Sequence, residues 1–137
     1  MKCLGMDLGS KTLGLATSDK LGVIASPYKI IRYDNMESLV DEVIGLIDEL
    51  KIETLVLGYP KNMNNSTGES VERVLKFKNI LEKKSNREVV LIDERLSTVE
   101  AEKYLLDEDK SRSTRKKIID AVAASIILDT YLRKEGK

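Results

Sequence analysis

Apolar residues follow two rhythms along this chain. Over residues 2–8 (KCLGMDL) they run nearly unbroken and stop at Gly9, the pattern of a buried strand. A second apolar run, 13–18, follows the short segment 9–12, so the two predict a hairpin. A third strand is predicted over 27–32. Asp34 and Glu37 then stand at capping-box spacing. Leu39, Val43, Leu46, Ile47 and Leu50 recur at helical intervals, predicting an amphipathic helix over 35–51. The bare run TLVLGY at 54–59 predicts a central parallel strand. Residues 60–67 read as a polar loop rich in asparagine. A second helix is predicted over 69–84, with Val71, Val74, Leu75, Lys78 and Leu81 on one face, and a fifth strand over 88–92. Ser97 and Glu100 form a second capping box, opening a third helix to about residue 106. A loop over 107–114 and a fourth helix over 115–132 complete the reading.

The order β-β-β-α-β-α-β-α-α restricts the topology. Three strands joined by short turns form an antiparallel meander. Strands that arrive through helices lie parallel to the first. The expected fold is α/β: a mixed five-stranded sheet with helices on both faces. The 137 residues contain no repeat or linker and read as one domain, 1–137. A chain of that length buries roughly two-thirds of its unfolded surface, enough for a core.

Composition narrows the chemistry. The chain contains no histidine, which removes Ser-His-Asp and Cys-His triads, imidazole bases and His-ligated zinc. Catalysis must run on carboxylates, lysine, tyrosine, hydroxyls or a metal held by oxygen. Net charge is zero, with 23 basic and 23 acidic residues, which is not the balance of a general polyanion binder. Cys3, the single cysteine, lies in an apolar run and reads as core in a reducing compartment. No apolar run approaches 18 residues and no leader pattern is visible, so the expectation is a cytoplasmic protein without a membrane partner.

Three carboxylates stand where they are costly. Asp7 interrupts the first strand, Glu94 follows Asp93 at the end of the fifth, and Asp120 interrupts the apolar stretch of the last helix. A lone buried carboxylate costs several kcal/mol unless it is paired, protonated or metal-bound. Ligands in open α/β sheets bind beyond the carboxyl ends of the strands, where Asp7 and Glu94 both fall. Oxygen donors without histidine suit Mg²⁺ or Mn²⁺, and two such ions activate a water and stabilise the leaving oxygen at a phosphodiester. Taken singly, each acid fits an ion pair about as well; all three together fit one less well. Gly9-Ser10-Lys11-Thr12 reads first as a plain turn, and its amides and Lys11 also suit a phosphate oxygen. Lys110, Arg112, Arg115, Lys116 and Lys117 form the one dense basic run. Such a run is usually a solvated face, yet cations at a helix start oppose the macrodipole, and a basic run beside a metal site is the layout of a nuclease. Aromatic residues make up only 4%, so platforms for stacking bases are scarce; Tyr59 is the tyrosine best placed, at a strand end.

DLGSKTLGLATSD, GYPKNMNNSTGESVERVLKF, DERLSTVEAE and KKIIDAVAASIILDTYL together resemble the YqgF/RuvX family, over nearly the whole chain and in the family's order. The resemblance implies an RNase H-like fold and nuclease activity that matures the end of pre-16S rRNA. It implies metal-binding acids at Asp7, Glu94 and Asp120. Arg95 matches the family's arginine after the glutamate, Ser97 and Thr98 its Ser-Thr pair, and Lys11 the basic residue of the first turn. Gly58, Pro60, Asn62 and Gly68 match its loop motif, with Asn65 in place of the glycine often found there. Asp93 rivals Glu94 as the ligand, because neighbours on a strand point opposite ways.

The leading expectation is therefore a metal-dependent phosphodiesterase for structured RNA (pre-16S rRNA, the pre-ribosome) or branched DNA. Lys11, Asn62, Arg95, Ser97, Thr98, Arg112, Arg115, Lys116 and Lys117 would hold the nucleic acid. A Holliday-junction DNA resolvase is the alternative within that class, and it needs a symmetric dimer; monomer and homodimer stay open. A non-catalytic nucleic-acid-binding module is the alternative outside it. An ATP-dependent phosphotransferase, which DLGSKTLG resembles, would need a second lobe.

Overall fold

The computed structural model describes residues 2–59, 69–93 and 112–135; over 112–120 and at 135 it describes the backbone alone. The strands are β1 (Cys3–Leu8), β2 (Thr12–Ser18), β3 (Ala25–Arg32), β4 (Thr54–Tyr59) and β5 (Val89–Asp93). The described helices are α1 (Met36–Leu50), α2 (Glu69–Ser85) and α3 (Arg112–Glu135). The predicted helix over 97–106 and most of the predicted loops over 60–67 and 107–114 lie outside the described residues. The last helix starts at Arg112, three residues before the expected 115.

The sheet order is β3-β2-β1-β4-β5. β2 runs antiparallel to β1 and to β3, while β4 and β5 run parallel to β1. The expected mixed sheet is thus present, meander first and crossovers after. The crossovers through α1 and α2 step the same way across the sheet, and crossovers of the usual hand then lay both helices on one face.

Alternation along the strands sorts the core into two layers. Leu4, Met6 and Leu8 of β1, Leu13 and Leu15 of β2, and Leu55 and Leu57 of β4 pack with α1 and α2 around Phe77 and Leu81. Cys3, Ala16, Val56 and Ile92 pack on the other face with Ala124, Ile127, Leu128, Tyr131 and Leu132 of α3. Parallel strands buried on both faces need apolar side chains at nearly every position, which is why TLVLGY carries no alternation.

Two details of the pattern differ from expectation. The cap of α1 is Asn35, not Asp34: its side chain accepts from the Ser38 amide at 3.0 Å, the usual cap-to-N3 bond. In α2 the core stripe is Val74, Phe77 and Leu81, while Leu75 is 39% exposed and Lys78 pairs with Glu82 at 3.0 Å. Spacings of three and four residues keep Phe77, not Leu75, on the sheet side. Glu82 also ties α2 to the sheet, accepting the Val89 amide at 2.9 Å where β5 begins. That bond, with the Lys78 ammonium second, holds the Glu82 carboxyl below its ordinary value.

Candidate active site at the carboxyl edge of the sheet

The carboxyl ends of β1, β4 and β5 share one edge of the sheet, and the β1–β2 turn stands beside them. Asp7 sits one residue before the end of β1 and is half-buried. Its face follows from its neighbours. Cys3 packs against α3, and a side chain built on Gly5 would meet α3 directly, so Asp7 continues the α3 face.

The strands beside Asp7 carry no side chains at its level. Gly14 of β2 pairs with Asp7. On β4, Met6 is level with Leu57, so the next step sets Gly58 beside Asp7. Both glycines are buried. Asp7 is therefore flanked by a glycine on each neighbouring strand at the strand end, where ligands of open α/β sheets bind. The sequence singled out Gly58 only through the loop motif and Gly14 not at all, because their flanking of Asp7 depends on register.

β5 sets the face on which Asp93 lies. Val90 and Ile92 pack on the α3 face, Val89 and Leu91 on the α1/α2 face. Asp93 is level with Tyr59 and continues the Leu91 parity, opposite to Asp7. Asp93 thus does not share the Asp7 face of the sheet. Tyr59 likewise packs with the α1/α2 core and not on the Asp7 face.

The turn after β1 is firmly held. The Gly9 amide donates to the Thr12 carbonyl at 2.8 Å, and the Tyr33 amide donates to the Lys11 carbonyl at 3.0 Å. The Tyr33 hydroxyl donates to the Gly9 carbonyl at 2.6 Å. Burial pushes the Tyr33 phenol up from its ordinary value, and the nearby Arg73 guanidinium acts weakly against that. Tyr33 was invisible as a site residue in the sequence; its position just past the end of β3 was the available signal.

Lys11 is exposed on this turn. Positions 112, 115, 116, 117 and 120, the expected basic residues and Asp120, lie on the helical backbone of α3, and their side chains are outside the described residues. Asn62, Glu94, Arg95, Ser97 and Thr98, with Pro60 and Gly68 of the loop motif, also lie outside them. Among the described residues no three Asp, Glu, Cys or His side chains gather as a metal cluster. The donor chemistry at Asp7, a carboxylate on a glycine-flanked strip in a chain without histidine, fits a hard cation such as Mg²⁺ or Mn²⁺.

The model of the family described as "RuvX: Holliday junction resolvase" matches residues 1–134. This chain belongs to the RuvX family. The RuvX chain is 44% identical over 137 residues to a protein of Clostridium kluyveri, covering 100% of both. It is 46% identical over 137 residues to one of Clostridium botulinum, again covering 100% of both, and 45% identical over 139 residues to one of Ligilactobacillus salivarius, covering 99% of this chain and 95% of that one. All three relatives bear the name "Putative pre-16S rRNA nuclease". In fold the RuvX chain is similar to Thermus thermophilus RuvC solved with a Holliday junction substrate, with TM-score 0.61, 15% identity and coverage of 98% and 97%. It is also similar to the Fowlpox virus resolvase solved with junction DNA, with TM-score 0.59, 12% identity and full coverage of both. The fold is therefore the RNase H-like fold of the resolvases.

Proposed function

We propose that this RuvX member is a metal-dependent endonuclease that cuts the phosphodiester backbone of structured RNA at the 5′ end of pre-16S rRNA, in the cytoplasm and in the setting of the pre-ribosome. The observation that carries the reading is Asp7, a half-buried carboxylate flanked by Gly14 and Gly58 at the carboxyl edge of the sheet. Membership of the family along residues 1–134 and the names of the full-length relatives support the reaction class.

Asp7, Glu94 and Asp120 would hold Mg²⁺ or Mn²⁺. Such ions supply Lewis acidity at phosphorus and lower the pKa of a water at neutral pH. Asp7 would contribute its carboxylate oxygens from a central strand. Support for Asp120 beside it comes from periodicity. Ala124 and Leu128 lie over Gly5, position 120 repeats that stripe one turn earlier, and Asp7 lies two residues beyond Gly5 on the same face. The two steps are about 6 Å and about 7 Å, so helix and strand keep pace if they run in opposite directions. Lys11, on a turn pinned by Tyr33, would neutralise a phosphate oxygen, and Asn62, Arg95, Ser97, Thr98, Arg112, Arg115, Lys116 and Lys117 would extend that contact along the strand.

The test is cleavage of labelled single-stranded RNA, a pre-16S 5′-end mimic, duplex DNA and a four-way DNA junction in Mn²⁺, Mg²⁺ or EDTA, with wild type and Asp7→Asn. Metal-dependent cutting of the RNA mimic that disappears in Asp7→Asn is the expected result. Cutting of the junction alone would make the protein a resolvase. RNA binding without cutting of any substrate would make it a binding module.

A further inference from the structure

The carboxyl edge of the sheet carries a cation that the reading above does not use. Arg32 is the last residue of β3 and pairs with Thr12, the first residue of β2. Antiparallel partners share a face. Along this ladder Ile30 pairs with Gly14, which pairs with Asp7, so Arg32, two positions on, continues the Asp7 face of the sheet. Arg32 is exposed and makes no ion pair among the described residues. Lys11 stands between it and β1, in the turn that Tyr33 ties to the end of β3 through the Lys11 and Gly9 carbonyls.

We propose that Arg32 is a backbone contact for the nucleic acid, gripping a phosphate upstream or downstream of the one held at Asp7. The inference rests on the nuclease reading and deepens it by naming the direction in which the strand leaves the site, over the β1–β2 turn towards β3. Two inter-strand steps of about 5 Å and two residues of about 3.4 Å set Arg32 about 12 Å from Asp7 between Cα atoms. The two residues are therefore far enough apart to hold different phosphates of one strand. An arginine serves this role well, since its planar fork takes two phosphate oxygens at once. The two Tyr33 bonds hold the backbone of the turn that carries Lys11 against the end of β3, one residue past Arg32.

Lys29 provides the control. It lies on the same strand, is also exposed, and pairs with Leu15 on the α1/α2 face. Arg32→Gln and Lys29→Gln therefore remove the same charge from opposite faces of one strand. Binding of the pre-16S 5′-end mimic and of a four-way DNA junction would be measured in EDTA, so that no cutting intervenes, across a salt series. One phosphate contact accounts for about a threefold loss of affinity between about 50 and about 200 mM salt. Arg32→Gln should flatten the salt dependence by that amount, Lys29→Gln should keep the wild-type slope, and Arg32→Lys should restore most of it. The ligand showing the change identifies the backbone, RNA or DNA, that the arginine grips. A wild-type slope in Arg32→Gln, or equal flattening in both glutamine variants, overturns the contact while leaving the nuclease reading intact. Absence of binding by the wild type to either nucleic acid overturns both.

Discussion

Gly5 of β1 faces Leu128 of α3 across the sheet–helix interface, with no room there for a side chain on Gly5. A Cβ on Gly5 would stand 2.7 Å from the Leu128 Cβ and 2.9 Å from the Ala124 carbonyl oxygen. Any larger residue must push α3 off the sheet, because one obstacle is backbone. Gly5→Ala should therefore destabilise the protein by about 1–3 kcal/mol, the cost of overpacking a tight core. Urea unfolding checks this, with the midpoint falling and the slope unchanged. If α3 supplies Asp120, activity should fall further than the unfolded fraction explains.

Asp7 and Asp93 stand at the same edge of the sheet but on opposite faces. Asp7→Asn should reduce metal-dependent cleavage by more than the about 10–100-fold that loss of an outer partner of a metal ligand costs. Asp93→Asn should leave most of the activity in place. Initial rates in Mn²⁺ at equal protein concentration decide it, and comparable losses in the two variants would remove the face argument.

Removing the Tyr33 hydroxyl leaves the Gly9 carbonyl without that donor. Tyr33→Phe should cost about 0.5–1.5 kcal/mol, the net worth of one hydrogen bond. The pH dependence adds a signature. The Tyr33 phenol is raised by burial, so the fold favours its neutral form. Its contribution is complete below about pH 10, the ordinary phenol value, and is lost as pH rises through the raised value. The stability gap between wild type and Tyr33→Phe should hold constant to about pH 10 and shrink above it.

Asp19 organises the β2–β3 hairpin by accepting the Val23 and Ile24 amides on one oxygen, at 2.7 and 3.0 Å. Those bonds, Ile24 first, hold its carboxyl below the ordinary value. A depressed carboxylate stabilises above its ordinary value, and that contribution is lost as pH falls through the folded value. Amide exchange at Val23 and Ile24 should lose protection below about pH 4 before the core strands do. Asp19→Asn should make that protection independent of pH over the same range.

The sequence by itself determined most of the framework. The unbroken runs of β1 and β4 and the helical stripe of α1 mark segments that cannot stay in water, and short links against helical ones decide which strands run antiparallel. It also marked Asp7 as an acid out of place, and its motifs carried the family. Register and facing were not legible, because they depend on strands far apart in the chain. Gly14 and Gly58 flank Asp7 only once β2 and β4 are aligned on β1. Asp93 is separated from Asp7 only by the parity of β5, and a one-residue slip would reverse that. Phe77 replaced Leu75 in the core because the sheet, not the helix, sets which stripe is covered. Tyr33 and Arg32 acquired their places by tertiary pairing, since the end of β3 meets the turn after β1 only in the folded sheet.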